Sequence, residues 1–193
     1  MRFFLRFSMI AVLMAVGSAA AAAPPAPFTL STTAFADGGQ IPVQFTAAAQ
    51  DVAPGQGVSP PLAWSNPPAG TRSFVLHMHD LDVARNRTTD DQLHWLVWNL
   101  PATATGLPQG VPPGSQLAGG AYQISATGAT YRGPGAPAAG PPHHYVIELY
   151  ALDGTIDVQP EADPFATRAQ VLAAIQGHVL GKAVYLGLFH RPQ

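Results

Sequence analysis

The sequence predicts a mainly β domain, a sandwich with one helix packed on it, and three observations carry that prediction. Charged residues make up only 10% of the 193-residue chain, against 19 glycines and 20 prolines, a balance that favours turns and short strands over long exposed helices. From Phe28 onward, short runs of β-forming residues alternate with turn clusters, without the strand–helix alternation of a parallel sheet. One stretch departs from that pattern, and it carries the punctuation of a helix.

The chain opens with a segment that reads as a secretory signal peptide over residues 1–23. Arg2 and Arg6 supply positive charge, an apolar run follows over 8–16, and small residues fill 17–23 with overlapping Ala-x-Ala cleavage sites. The apolar run falls short of the roughly 20 residues that a spanning helix needs. The expected product is periplasmic or secreted, with no stable membrane insertion after cleavage. There is no cysteine, so neither a lipid anchor nor a disulfide is available and the fold stands on packing. Loss of the signal leaves seven basic and eleven acidic residues, a net charge of −4 with histidines neutral. That balance lacks the basic footprint of a nucleic-acid binder.

Residues 24–27 form a flexible Pro/Ala leader, and 28–193 are long enough for one domain with its own core. Strands are expected over 28–31, 43–46, 62–64, 73–79, 93–99, 122–125, 144–151 and 183–189. A helix is expected over 164–176, where Asp163 caps, Pro164 takes the first helical position, and Phe165, Val171, Leu172, Ile175 and Val179 share an apolar face. Gly177 or Gly181 would end it. The Pro/Gly-rich stretches 106–120 and 133–142 read as long loops beside the candidate residues.

Strand parity then singles out polar residues at the ends of apolar stripes. Asp80 ends the stripe Phe74, Leu76, Met78, and His143 begins the stripe Tyr145, Ile147, Leu149. His94 shares parity with Leu96 and Trp98, although Leu93, Trp95 and Val97 form an equally apolar face, so pattern alone leaves its direction open. A single histidine or aspartate at a strand end is more often structural than functional. The pair His77 and His79 has metal-ligand spacing on one strand face, but its partners are not identifiable from sequence. The simpler reading is that the pair lines a partly exposed sheet face.

Five strings sharpen this picture: Ser59-Pro60-Pro61-Leu62-Ala63-Trp64, Asp80-Leu81-Asp82, His94-Trp95-Leu96-Val97-Trp98-Asn99-Leu100-Pro101, Tyr131-Arg132-Gly133-Pro134 and His143-His144-Tyr145. In their order and spacing they resemble the signatures of the phosphatidylethanolamine-binding family in its bacterial, Raf-kinase-inhibitor-like branch. The resemblance runs over about residues 28–191. It implies a β-sandwich of two antiparallel sheets with a peripheral C-terminal helix and a small pocket for phosphate-like or other anionic groups. Carried over residue by residue, it implies ligand-binding roles for Asp80, Asp82, His94, Gly133, Pro134, His143 and Tyr145.

The sequence departs from the family pattern in three places: Leu81 and Ala84 stand where prolines are usual, His144 stands for an arginine, and Gly135-Ala136 for Cys-Pro. In such a pocket His94 or His143 and the amides after Gly133 would donate to the anion, while Asp80 would orient a histidine, take up an ammonium group or anchor its loop. The expected function is a non-catalytic binding or regulatory module with a small anionic ligand and an open option of inhibiting a partner protein. No cofactor is implied and no metal ligand set is assigned. The alternatives are a hydrolase using Asp and His in the same pocket and a histidine-based metal-binding protein. The hydrolase lacks a Gly-x-Ser-x-Gly motif or a cysteine, and its one motif serine, Ser59, is followed by two prolines.

Overall fold

Nine strands, two 3-10 turns and one α-helix make up residues 25–53 and 56–193, the part of the chain that the computed structural model describes. The expected signal segment and the first leader residue lie outside these described residues, whereas residues 25–27 are exposed and irregular. The strands are β1 (Thr29–Ser31), β2 (Gly39–Gln40), β3 (Leu62–Ser65), β4 (Ser73–Asp80), β5 (Gln92–Pro101), β6 (Gly106–Leu107), β7 (Tyr122–Ile124), β8 (His143–Leu152) and β9 (Val179–Phe189). The helix α1 spans Pro164–Ala174 and precedes β9.

The strands form two sheets, ordered β1-β3-β6 and β2-β9-β8-β4-β5-β7. Every pairing is antiparallel except that of β2 with β9, which is parallel. Strand β4 lies at the centre of the larger sheet, and all eight of its residues are buried. Its two faces feed two cores. Phe74, Leu76 and Met78 pack with Tyr145, Ile147 and Leu149 and with Leu30, Leu62 and Trp64 of the small sheet. On the opposite face Val75 joins Leu93, Leu96 and Trp98 beneath Ile156, Val158, Val171 and Ile175. Each such side chain contributes about 1.5–3 kcal/mol through burial, so the second core is what holds α1 and the segment before it on the sheet.

Helix α1 begins where its punctuation lies: the Asp163 Oδ1 accepts from the Phe165 N–H at 2.8 Å, and Pro164 occupies a position whose N–H needs no partner. It ends at Ala174, and Gly177 then takes the left-handed conformation at φ 82°. Val179 therefore does not extend the helical face; it opens β9 and is 42% exposed.

Other expectations shift for local reasons. Val43–Phe45 is a 3-10 turn rather than a strand: the Thr46 N–H and hydroxyl both donate to the Val43 carbonyl, and only Phe45 of the three is buried. The expected loop 106–120 contains β6, which fits beside β3 because Gly106 has no Cβ to strike the Leu62 carbonyl. His77 and His79 are not on an exposed face. They are 4% and 8% exposed.

Candidate functional site

The register of the large sheet decides which polar residues meet. Asp80, the last residue of β4, pairs with Tyr145 of β8 and Gln92 of β5, so His143, two residues before Tyr145, comes alongside it. The buried Asp80 carboxylate accepts from His143 Nδ1 at 2.9 and 3.1 Å. Its Oδ1 also accepts from the Asp82 N–H at 3.0 Å. One carboxylate thus orients the imidazole and holds the start of the loop that follows β4.

His94 arrives by an irregularity. Met78 pairs with Trp95 and His79 with Leu93, which leaves His94 as the extra residue of a bulge. Leu93, Leu96 and Trp98 consequently stay with the helix-side core, while His94 leaves the parity it would share with Leu96 and Trp98. Its ring meets Tyr145 edge-on at 5.0 Å, on the side of Asp80 and His143. The His94 Nδ1 lies 2.9 Å from the Arg132 carbonyl. A carbonyl only accepts, so Nδ1 carries the proton and Nε2 of the neutral ring is an acceptor. Burial pulls the His94 pKa down to about 4, with the Arg132 carbonyl bond opposing only part of that shift and the Arg132 charge adding to it. At neutral pH His94 is uncharged.

Between these residues lies a cavity of about 340 Å³, lined by Asp80, His94, Arg132 and His143, with 135–137 on the loop side. Arg132 is the member that sequence reasoning missed. Its Nε is buried without a hydrogen-bond partner, which leaves a fixed positive charge on the cavity wall. The signal was present, since Arg132 is the one charged residue of the string Tyr131-Arg132-Gly133-Pro134. A loop residue has no parity from which a direction could be read.

The remaining candidates, Asp82, Gly133, Pro134 and Tyr145, do not line this cavity. Gly133 packs on the chain near Thr46, where a Cβ would fall 2.6 Å from the Ala47 nitrogen and the Thr46 carbonyl carbon. Pro134 accepts from the Ala47 N–H at 2.8 Å. The Tyr145 hydroxyl oxygen accepts from the N–H groups of Gly135 and Ala136, both at 3.2 Å. Those two amides, expected to cradle the anion, are therefore committed to Tyr145. Burial pushes the tyrosine pKa up, keeping the hydroxyl intact. Asp82 accepts from the N–H and Nδ1 of His144 at 2.6 and 3.0 Å. Partial burial opposes its ionisation, but these bonds prevail and lower its pKa.

Leu81, where the resemblance leads one to expect proline, donates its N–H to the His144 carbonyl at 3.1 Å. A proline could not make that bond. The departure thus exchanges a fixed φ for one more rung between the loop and β8. Ser59 is engaged elsewhere, its buried Oγ accepting from the Val111 N–H at 2.9 Å.

Residues 31–190 match the family model described as phosphatidylethanolamine-binding protein. A UPF0098 protein of Methanothermobacter thermautotrophicus is 37% identical over 164 residues, covering 84% of this chain and 98% of its own. The UPF0098 protein YbhB of Escherichia coli is also 37% identical, over 70% of this chain and 83% of its own. Among solved structures, E. coli YbcL, described as a member of the mammalian PEBP family, superposes with a TM-score of 0.70 at 27% identity, over 86% of this chain and 100% of its own. Among the described residues no helix is long and apolar enough to cross a membrane.

Proposed function

Since the chain belongs to the phosphatidylethanolamine-binding protein family, we propose that it is a non-catalytic binding module whose cavity holds a phosphate-like or other small anionic group. Family membership supports a binding role in general. The finer reading rests on one observation: the Arg132 guanidinium, whose buried Nε has no hydrogen-bond partner, shares a cavity wall with an imidazole whose orientation is set by Asp80. Arginine is suited to phosphate and carboxylate oxygens because its donors lie in one plane. His143 has Nδ1 committed to Asp80, which leaves Nε2 for the ligand. With both ring nitrogens protonated, Nε2 is a donor to an anion oxygen. His94 adds an acceptor, matched to a P–OH or another hydroxyl on the ligand.

Asp80 does not oppose the anion as a bare charge would, because His143 and the Asp82 N–H take up its oxygens. The same chemistry suits an acidic side chain of a partner protein, and inhibition of such a partner would use this cavity. The non-catalytic reading is supported by the structural engagement of Ser59, whose Oγ accepts from the Val111 N–H. Export to the periplasm or medium is part of the proposal and rests on residues 1–23.

Calorimetry with inorganic phosphate and with phosphorylethanolamine tests it. Arg132→Ala and His143→Ala are each expected to weaken binding about tenfold or more, as loss of a charged hydrogen bond does. Affinities unchanged in both variants would overturn the proposal.

A further inference from the structure

On the opposite face of the large sheet, beneath α1, a second polar cluster is assembled from strands that the first site does not use in this way. The β4–β8 register sets His77 directly across from Glu148, and His79 follows on the same face. Glu148 Oε2 lies 3.5 Å from His77 Nδ1 and 3.6 Å from His79 Nε2. Both nitrogens of His77 and the Nε2 of His79 are buried and lack hydrogen-bond partners. Leaving such groups unsatisfied is costly, and it is the condition of donor atoms built for an ion. A cleft of about 430 Å³ reaches them between β4, β8 and α1.

We propose that His77, His79 and Glu148 form a binding site for a borderline divalent transition-metal ion of the zinc class. The donor set of two imidazoles and one carboxylate selects this class over magnesium or calcium, which prefer oxygen ligands alone. With bonds of about 2.0–2.1 Å, tetrahedral ligand atoms stand about 3.3–3.4 Å apart, close to the separations from Glu148 to either histidine. The fourth position opens to the cleft.

Surrounding residues brace the set. His79 Nδ1 donates to Asp91, and Arg168 of α1 donates to the same carboxylate, which fixes Nε2 as the free ring atom. This is the carboxylate–histidine arrangement that commonly supports a metal ligand. Glu148 is held by Lys182 on Oε1 and by the Tyr150 hydroxyl on Oε2. The imidazole rings stack 4.3 Å apart with planes 7° from parallel, and the ligand atoms of His77, His79 and Glu148 lie within 4.8 Å of one another. Binding displaces any proton from Nε2.

Zn²⁺ titrated calorimetrically into untagged protein should bind with one-to-one stoichiometry. His77→Gln and His79→Gln should each weaken it at least 100-fold, and Asp91→Asn by about 10–100-fold, as loss of an outer-shell partner does. Co²⁺ in the unaltered protein should show the intense visible absorption of a four-coordinate site, a readout that needs no variant. His143→Ala, on the other face, should bind Zn²⁺ normally. Absence of Zn²⁺ binding, its survival in both glutamine variants, or its loss in His143→Ala would overturn the proposal.

Discussion

His94 Nδ1 donates to the Arg132 carbonyl at 2.9 Å, and that one bond decides what the cavity can recognise. It commits the ring proton to the protein and leaves Nε2 as a lone pair, so the site contains an acceptor as well as a cationic wall. Phosphate at neutral pH retains a P–OH that can meet this acceptor, and sulfate does not. Phosphate should bind about tenfold more tightly than sulfate, the equivalent of one net hydrogen bond. Competition calorimetry at pH 7 checks this, and equal affinities would show that Nε2 does not take part.

The same residue makes stability depend on acidity. Burial holds the folded-state pKa of His94 at about 4, below the ordinary 6.5, so between these values the unfolded chain binds the proton and the folded chain does not. Stability from this group is complete above pH 6.5 and is lost as pH falls towards 4, by about 3 kcal/mol in all. Burial lowers the His77 pKa as well, which acts in the same direction. Urea unfolding of the protein and of His94→Gln from pH 7 to 4 separates the two: the glutamine variant should lose much less stability over this range.

How far the sequence could be read depends on whether a local rule survived folding. Strands β4 and β8 kept strict alternation, so Asp80 and His143 could be placed on one face from parity, and Asp163-Pro164 marked the start of α1 where it occurs. At His94 one inserted residue reversed the alternation, and no local pattern announced the bulge. Strands β2 and β6 have two residues each, too few to carry a period. Arg132 and Glu148 gained their neighbours from loop closure and strand register, and both are long-range relations. The motif strings located Gly133, Pro134 and Tyr145 without distinguishing residues that line a cavity from residues that hold its wall.

Gly133 tests that distinction. Its place is set by closeness to the backbone near Thr46, with hypothetical Cβ distances of 2.6 Å to the Ala47 nitrogen and 2.9 Å to the Thr46 Cα. Backbone on both sides cannot give way as a flexible side chain would. Gly133→Ala should destabilise the domain by about 1–3 kcal/mol, a fall in Tm of several degrees for a domain of this size. A thermal scan showing no change would mean that the loop shifts freely and that its glycine has no packing role.

Asn99 supplies a second structural test on the helix side. It sits at φ 58° within β5, and its side chain closes a pair of bonds with Ile156, donating to the carbonyl at 2.9 Å and accepting from the N–H at 3.0 Å. These bonds tether the segment that leads into α1, and with it the roof of the second polar cluster. Asn99→Gly keeps the backbone conformation but leaves the Ile156 groups unpaired, at a cost of about 1–3 kcal/mol. Asn99→Ala loses the same bonds and adds the strain of a Cβ at positive φ, roughly 1 kcal/mol more. Urea midpoints should therefore fall in the order unaltered protein, Asn99→Gly, Asn99→Ala. Equal midpoints for the two variants would assign the whole effect to the lost bonds and none to the backbone.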